Sequence, residues 1–177
     1  IHVQCALGQH FRNNAAWNKY SIVDDCELIV DGVRYLKLSE SEVKLLSYVD
    51  KNTIPANLVI PSAITSGTTY AVVELAEKCF SDNQTITSLV IPASVRLIGD
   101  KAFYRCMSLQ SLTLSEGLET IGDRSFTRCV ALESLTIPST VTSIYAAAFY
   151  DCTGLQTVEV LATEPPTITT TDVFRNI

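Results

Sequence analysis

Cys106, Cys129 and Cys152 recur at a single spacing, 23 residues apart. Thiolates are nucleophiles and soft zinc ligands, so such a series is the first place to look for reactivity. If the spacing marks a structural repeat, the three thiols form an inward column with neighbours ~5 Å apart, the separation of stacked strands. A straight column cannot supply a tetrahedral zinc shell. A vertical disulfide is within reach, but stacked side chains point the same way and three thiols leave one unpaired. The spacing therefore predicts a ladder of buried free thiols acting as small hydrophobes. Cys5 and Cys26 lie outside the series, and in a secreted protein a disulfide between them would tie down the N-terminal segment. Cys5, His10 and Cys26 lack a recognised zinc spacing.

Other chemistry is excluded by what is missing. The only histidines are His2 and His10, both far from the repeated region, so a serine or cysteine nucleophile there would have no imidazole base. Asp100 with Asp123, or Glu116 with Glu119, would be the acid pairs on offer, yet each sits at a solvent-facing repeat position. There is no glycine-rich phosphate loop, no G-x-S-x-G and no H-E-x-x-H. The expectation is a non-enzyme with no cofactor and no metal. A formal net charge of −6 argues against a nucleic-acid partner, which needs a basic footprint. No apolar run approaches the ~20 residues of a membrane span. The chain starts at Ile1 without methionine or signal peptide, which reads as a processed or excised piece.

The elements that would position these residues come from one unit written three times between Ile86 and Val160. The copies are ITSLVIPASVRLIGDKAFYRCMS, LQSLTLSEGLETIGDRSFTRCVA and LESLTIPSTVTSIYAAAFYDCTG, and a fourth opens as LQTVEV. Leu89, Leu112, Leu135 and Val158 keep the 23-residue spacing, as do Phe80, Phe103, Phe126 and Phe149. A fixed period in the twenties marks a stacked-coil solenoid of the leucine-rich type, in which no unit can bury its apolar face alone. In Ser111-Leu112-Thr113-Leu114 polar and apolar residues alternate, which predicts a short strand with the leucines inward, and stacking gives a parallel sheet. Pro92 and Pro138 then end ladder pairing. Ala102, Phe103 and Cys106, at i, i+1 and i+4, share one face of an expected helical turn, with Gly99 and Gly122 opening it and Asp100 and Asp123 as caps. In the third copy Tyr145 stands where the glycine should, so that turn must start differently.

The pattern L-x-I-P-x-x-V-x-x-I-G-x-x-A-F-x-x-C, met at Leu89–Cys106, at Leu112–Cys129 with Ser115 and Ser125 substituted and at Leu135–Cys152 with Tyr145 for glycine, resembles the repeat of the BspA-like leucine-rich-repeat proteins of bacterial cell surfaces. The resemblance implies a leucine-rich-repeat solenoid and an adhesin or interaction module, extracellular or on the cell surface, while leaving the partner open. The fold expected is mostly short parallel strands with short helical turns in 23-residue coils, closed by a small N-terminal β cap. Residues 1–25 read as irregular, 26–57 as the cap and 58–177 as the solenoid, regular over 86–160, all in one structural domain. In the cap, Glu27–Val30 and Val33–Leu38 form a hairpin about Asp31-Gly32, and Glu42–Val49 reads as a third strand in preference to a short helix, since a short apolar run fits both periods. The first coil carries eight extra residues around Ile64–Tyr70, a projecting hairpin or loop, and Val173-Phe174 is an Ala-Phe equivalent displaced by two residues.

Two faces compete as the binding surface. The outward strand face carries Ser88, Ser111, Ser134 and Thr157 in one column and Val90, Thr113, Thr136 and Glu159 in the next. It is flat and nearly uncharged, although hydroxyl and β-branched residues also simply suit an exposed strand. The alternative face carries Tyr104, Arg105, Arg128 and Tyr150 beside Asp151, with Lys101 and Arg124 nearby; tyrosine and arginine are enriched at interface hot spots. Ile64–Tyr70 is a third site, a loop on a rigid scaffold. The function expected is binding or adhesion to an extracellular protein, with a glycan-binding module or a ligand-free spacer within a longer surface protein as the alternatives.

Overall fold

A computed structural model describes residues 26–177. β1 (Glu27–Val30) and β2 (Val33–Lys37) form an antiparallel hairpin, turned by Asp31 and Gly32 at φ 49° and 75°. β3 (Glu42–Tyr48) pairs antiparallel with β2, and its period of two sinks Val43 and Leu45 into the core. β3 then runs parallel to β6 (Thr68–Leu75), with Val43 opposite Val72 and Leu45 opposite Leu75. Through this contact the cap becomes the end of the longest sheet. That sheet continues through β8 (Leu97–Ile98), β10 (Thr120–Ile121), β12 (Ser143–Ile144) and β14 (Thr167–Ile168).

Each coil has a second strand on another side. β4 (Asn57–Val59), β7 (Ser88–Ile91) and β9 (Ser111–Leu114) make a parallel three-stranded sheet with Leu58, Leu89 and Leu112 in line. β11 (Ser134–Ile137) and β13 (Thr157–Val160) pair with each other but form no ladder with β9. At this break Leu112 and Leu114 are only half-buried, whereas Leu89, Ile91, Leu135 and Ile137 are buried. Side chains span it instead. Glu116 accepts from Ser139 N and Oγ at 3.1 and 2.9 Å and from Thr140 N at 3.2 Å. Thr140 Oγ1 donates to Leu118 O at 2.8 Å.

The third side corrects the expected helical turn. Residues 99–106 bond as successive β-turns: Ala102 N to Gly99 O, Tyr104 N to Lys101 O and Cys106 N to Phe103 O. The intervening amides of Lys101, Phe103 and Arg105 donate to Asp123, Ser125 and Thr127 of the next coil. An α-helix would point its amides along its own axis, with none turned sideways to a neighbouring coil. Lys101 and Arg105 adopt φ 55° and 57°, and Arg124 and Arg128 φ 51° and 63°, which is what turns alternate amides outward. Ala102, Phe103 and Cys106 are buried as expected, because both conformations place i, i+1 and i+4 inward. With no helix there to cap, Asp100 Oδ1 accepts from Asp123 N of the next coil at 2.9 Å. Gly122 is required by close approach: a Cβ would lie 2.7 Å from Ile98 O and 2.8 Å from Asp100 N. Where Tyr145 replaces it, the aspartate contact lapses and Asp123 Oδ1 is buried without a partner.

The core lies inside the coils and is continuous with the cap. Phe80, Phe103, Phe126, Phe149 and Phe174 stack at 5.1, 5.2, 5.3 and 5.5 Å between ring centres, nearly parallel. Phe174 thus continues the column despite its two-residue displacement, and Phe149 N donates to Val173 O. At the other end Tyr48 of the cap tilts against Phe80 at 5.9 Å. The eight extra residues form β5 (Ala63–Ser66) paired antiparallel with the start of β6 about Gly67. The hairpin is pinned at its base, where Ile64 and Tyr70 are buried and Lys37 Nζ lies 5.6 Å from the centre of the Tyr70 ring, while residues 65–69 stand exposed.

One side chain goes against its surroundings. Ser125 is fully buried in the column of Ala102 and Ala148, and its hydroxyl has no partner among the described residues. Removing such a group relieves a desolvation cost of about 1–3 kcal/mol. Ser125→Ala should raise stability by about 1 kcal/mol in a denaturant melt; a loss of stability would show that the hydroxyl is bonded.

Candidate functional site

On the turn side, three columns run along the solenoid. Lys78, Lys101, Arg124 and Ala147 share one position and all have positive φ. Ser81, Tyr104, Thr127 and Tyr150 form the next column, then Asp82, Arg105, Arg128 and Asp151, again all with positive φ in the last. Left-handed backbone throws these long side chains outward, while the phenylalanine between them points in. The middle column alternates small and large, with Thr127 between the two tyrosines, and the first column ends its cations at Ala147 in the next coil; a notch opens where these two small residues adjoin.

The notch is a hollow of about 290 Å³ lined by Tyr104, Arg124, Thr127, Arg128, Ala147, Tyr150, Asp151 and Asp172. Thr127 is buried and its hydroxyl donates to Ala147 O, which joins the two small residues as a floor. Arg128 Nε lies 3.4 Å from Asp151 Oδ2, and Asp151 Oδ1 accepts from Asn176 Nδ2 at 2.8 Å. Arg124 Nη1 bonds Asp123 at 2.6 Å. A second hollow of about 420 Å³, lined by Lys78, Ser81, Asp82, Lys101, Tyr104 and Arg124, shares two residues with the first, so the depression continues along the coils. Of the alternative surface, Tyr104, Arg128 and Tyr150 meet here; Arg105 lines neither hollow and pairs with Asp82 at 3.4 Å. Thr127, Ala147 and Asp172 escaped the sequence reading. The first two were visible as the places where a column changes from large to small.

The strand face is divided. Ser88, Val90, Ser111 and Thr113 belong to one sheet and Ser134, Thr136, Thr157 and Glu159 to another, across the break between β9 and β11. Some of its hydroxyls are already used: Ser88 Oγ donates to Asn57 Oδ1 at 2.8 Å, and Thr136 Oγ1 to Glu159 at 3.5 Å. No hollow among those described lies on these residues.

The repeat cysteines are buried free thiols. Each of three donates to a phenylalanine carbonyl of the preceding coil: Cys106 to Phe80 at 3.3 Å, Cys129 to Phe103 at 3.4 Å and Cys152 to Phe126 at 3.2 Å. Burial pushes the Cys106 thiol up to about 12 and Cys152 to about 11, and raises Cys79 and Cys129 as well, so none is a nucleophile. Cys26 is buried; its expected partner Cys5, with His2 and His10, lies outside the described residues. Among the described residues no group of three or more His, Cys, Asp and Glu could hold a metal, and no helix is long and apolar enough to cross a membrane.

The BspA type leucine-rich repeat region matches residues 73–176 in six copies. A leucine-rich repeat protein of Bacteroides capillosus is similar at 27% identity and a TM-score of 0.67, over 77% of this chain and 99% of that one. A leucine-rich cell surface protein of Faecalibacterium prausnitzii (22% identity, TM-score 0.61) and the pneumococcal vaccine antigen PcpA (20%, 0.66) share the fold over 76% and 80% of this chain. The chain spans only 42% and 40% of those two. No curated protein sequence matches it.

Glu116 is a brace rather than half of an acid pair. The Ser139 amide and hydroxyl, with Thr140 behind them, hold its carboxyl below the ordinary glutamate value of 4.5. A lowered value in the folded state stabilises the fold fully above the unfolded value and loses that contribution as pH falls through the lowered one. Glu116→Gln should therefore lower the melting temperature at neutral pH and flatten its decline below pH 4.5; parallel curves for the two proteins would remove Glu116 from this role.

Proposed function

Because the chain belongs to the BspA-type leucine-rich-repeat family, we propose that it is a non-catalytic recognition module of a cell-surface or secreted bacterial protein, meeting its extracellular partner through the turn face. The observation carrying this reading is the notch between Tyr104 and Tyr150, floored by Thr127 and by Ala147 of the next coil and edged by Arg124 and Arg128. A hollow that gathers two tyrosines and two arginines over a small-residue floor has the composition of an interface hot spot. The strand face is the weaker choice, since it is split and partly satisfied by its own side chains. Family likeness supports the surface setting: one similar protein is named a leucine-rich cell surface protein and another a vaccine antigen.

Immobilised chain should adhere to extracellular-matrix or glycan-coated surfaces. Tyr104→Ala with Tyr150→Ala should weaken that adhesion at least tenfold, while Thr113→Ala with Thr136→Ala leaves it within twofold. The reverse pattern would move the site to the strands, and no adhesion by any form would favour a spacer.

An extracellular setting also bears on Cys5 and Cys26, which we propose are bonded to each other. Unfolded without reductant, the chain should take up four alkyl groups, at Cys79, Cys106, Cys129 and Cys152, and six after reduction. Six before reduction would contradict the pairing.

A further inference from the structure

We propose that the notch binds a carboxylated pyranose, the acidic sugar of a glycan; this rests on the turn face being the binding face. The first ground is an inventory of donors and acceptors. The carboxylates lining the notch are engaged within the protein: Asp151 accepts from Asn176 and faces Arg128, and Asp172 accepts from the Thr170 hydroxyl and feels the charge of Arg124. The guanidinium groups keep more of their hydrogen-bonding capacity open. Arg128 is anchored through Nε and Arg124 through Nη1, which leaves Nη1 and Nη2 of Arg128 and Nε and Nη2 of Arg124 without a hydrogen bond among the described residues. The open nitrogens suit a planar acceptor, the geometry a carboxylate matches in bidentate fashion. A ligand that supplies acceptors complements this inventory.

The second ground is shape. Tyr104 and Tyr150 stand two coils apart, steps of 5.2 and 5.3 Å in the adjoining phenylalanine column, with only the Thr127 and Ala147 floor between. That leaves room for one ring between two half-buried phenols, whose faces suit the C–H face of a sugar and whose hydroxyls suit its polar edge. A glutamate or aspartate side chain would engage the guanidinium groups but leave the tyrosines idle, which favours a sugar over an acidic peptide.

The third ground is the placement of cations. Lys78, Lys101, Arg105, Arg124 and Arg128, five of the 13 basic residues, fall in the two outer columns; Lys78, Arg105, Arg124 and Arg128 are paired with Glu77, Asp82, Asp123 and Asp151. Lys101 makes no ion pair among the described residues and lines the second hollow, in line for the next acidic group of an oligosaccharide. The carboxylates of this face are drawn aside, Asp100 onto the next coil's backbone and Asp82 onto Ser81 and Arg105.

The test is calorimetric titration of the folded chain with an oligogalacturonate and with sialyllactose. Either should bind, more weakly as salt rises. Arg128→Gln, at an exposed position, should weaken binding at least tenfold with the melting temperature unchanged, and Tyr104→Ala should do likewise. If Tyr104→Ala unfolds the chain, Arg124→Gln takes its place. Methyl esterification of the carboxylates should abolish binding. Failure of both probes, equal binding of the ester, or equally tight binding of polyglutamate would each overturn the proposal. The two readings fail separately. Adhesion lost on Tyr104→Ala with Tyr150→Ala but indifferent to acidic sugars keeps the turn face and removes the ligand. Adhesion lost only with Thr113→Ala and Thr136→Ala removes both.

Discussion

The whole solenoid depends on how the turn side shares its amides. Within each coil alternate N–H groups close β-turns and the others donate to the next coil, so every coil is bonded to its neighbour even where the strands are not. The arrangement requires a left-handed residue at two places per coil, and side chains other than glycine resist that conformation by ~1–2 kcal/mol each. The bonds that conformation releases to the next coil, with the burial of Ala102, Phe103 and Cys106 and their equivalents, offset the strain. The same backbone choice shapes the proposed binding face, since it alternates the phenylalanine column inward with cations and tyrosines outward.

Regularity makes the exceptions legible. Tyr145 replaces a glycine that elsewhere lets two backbones touch, and the aspartate contact beside it lapses. Thr127 and Ala147 replace long side chains, and the surface dips. The strand ladder parts between β9 and β11, and Glu116 bridges the gap with three hydrogen bonds to the next coil. The first two departures adjoin the turn face and the third lies elsewhere. The third is a repair of the scaffold, while the notch belongs to the face proposed for binding.

The two ends of the aromatic column are finished differently. Tyr48 of the cap leans across Phe80 at 59°, breaking the parallel stack where β3 has already joined the long sheet. Phe174 stays parallel to Phe149, and beyond it Val158, Val160 and Ile168 are exposed on the last strands. The cap therefore does more than shield strands, as it also ends the ring column by geometry.

The spacing of Phe80, Phe103, Phe126 and Phe149 by itself determined that residues 23 apart are vertical neighbours in one dry interior, because apolar columns can be buried only by stacking. The Asp31-Gly32 turn, the strand at Glu42–Tyr48 and the displaced Phe174 were legible for the same kind of local reason. The turn conformation was not. An inward triad at i, i+1 and i+4 fits a helix and a β-turn ladder equally, and lysine and arginine at left-handed positions carry no glycine-like signal. Nor could spacing reveal where strand pairing fails or which small residues adjoin across coils, since these depend on which amide finds which carbonyl in the neighbouring coil. Only the tertiary structure decided that Tyr104, Arg124, Arg128 and Tyr150 share one notch while the hydroxyl columns are divided.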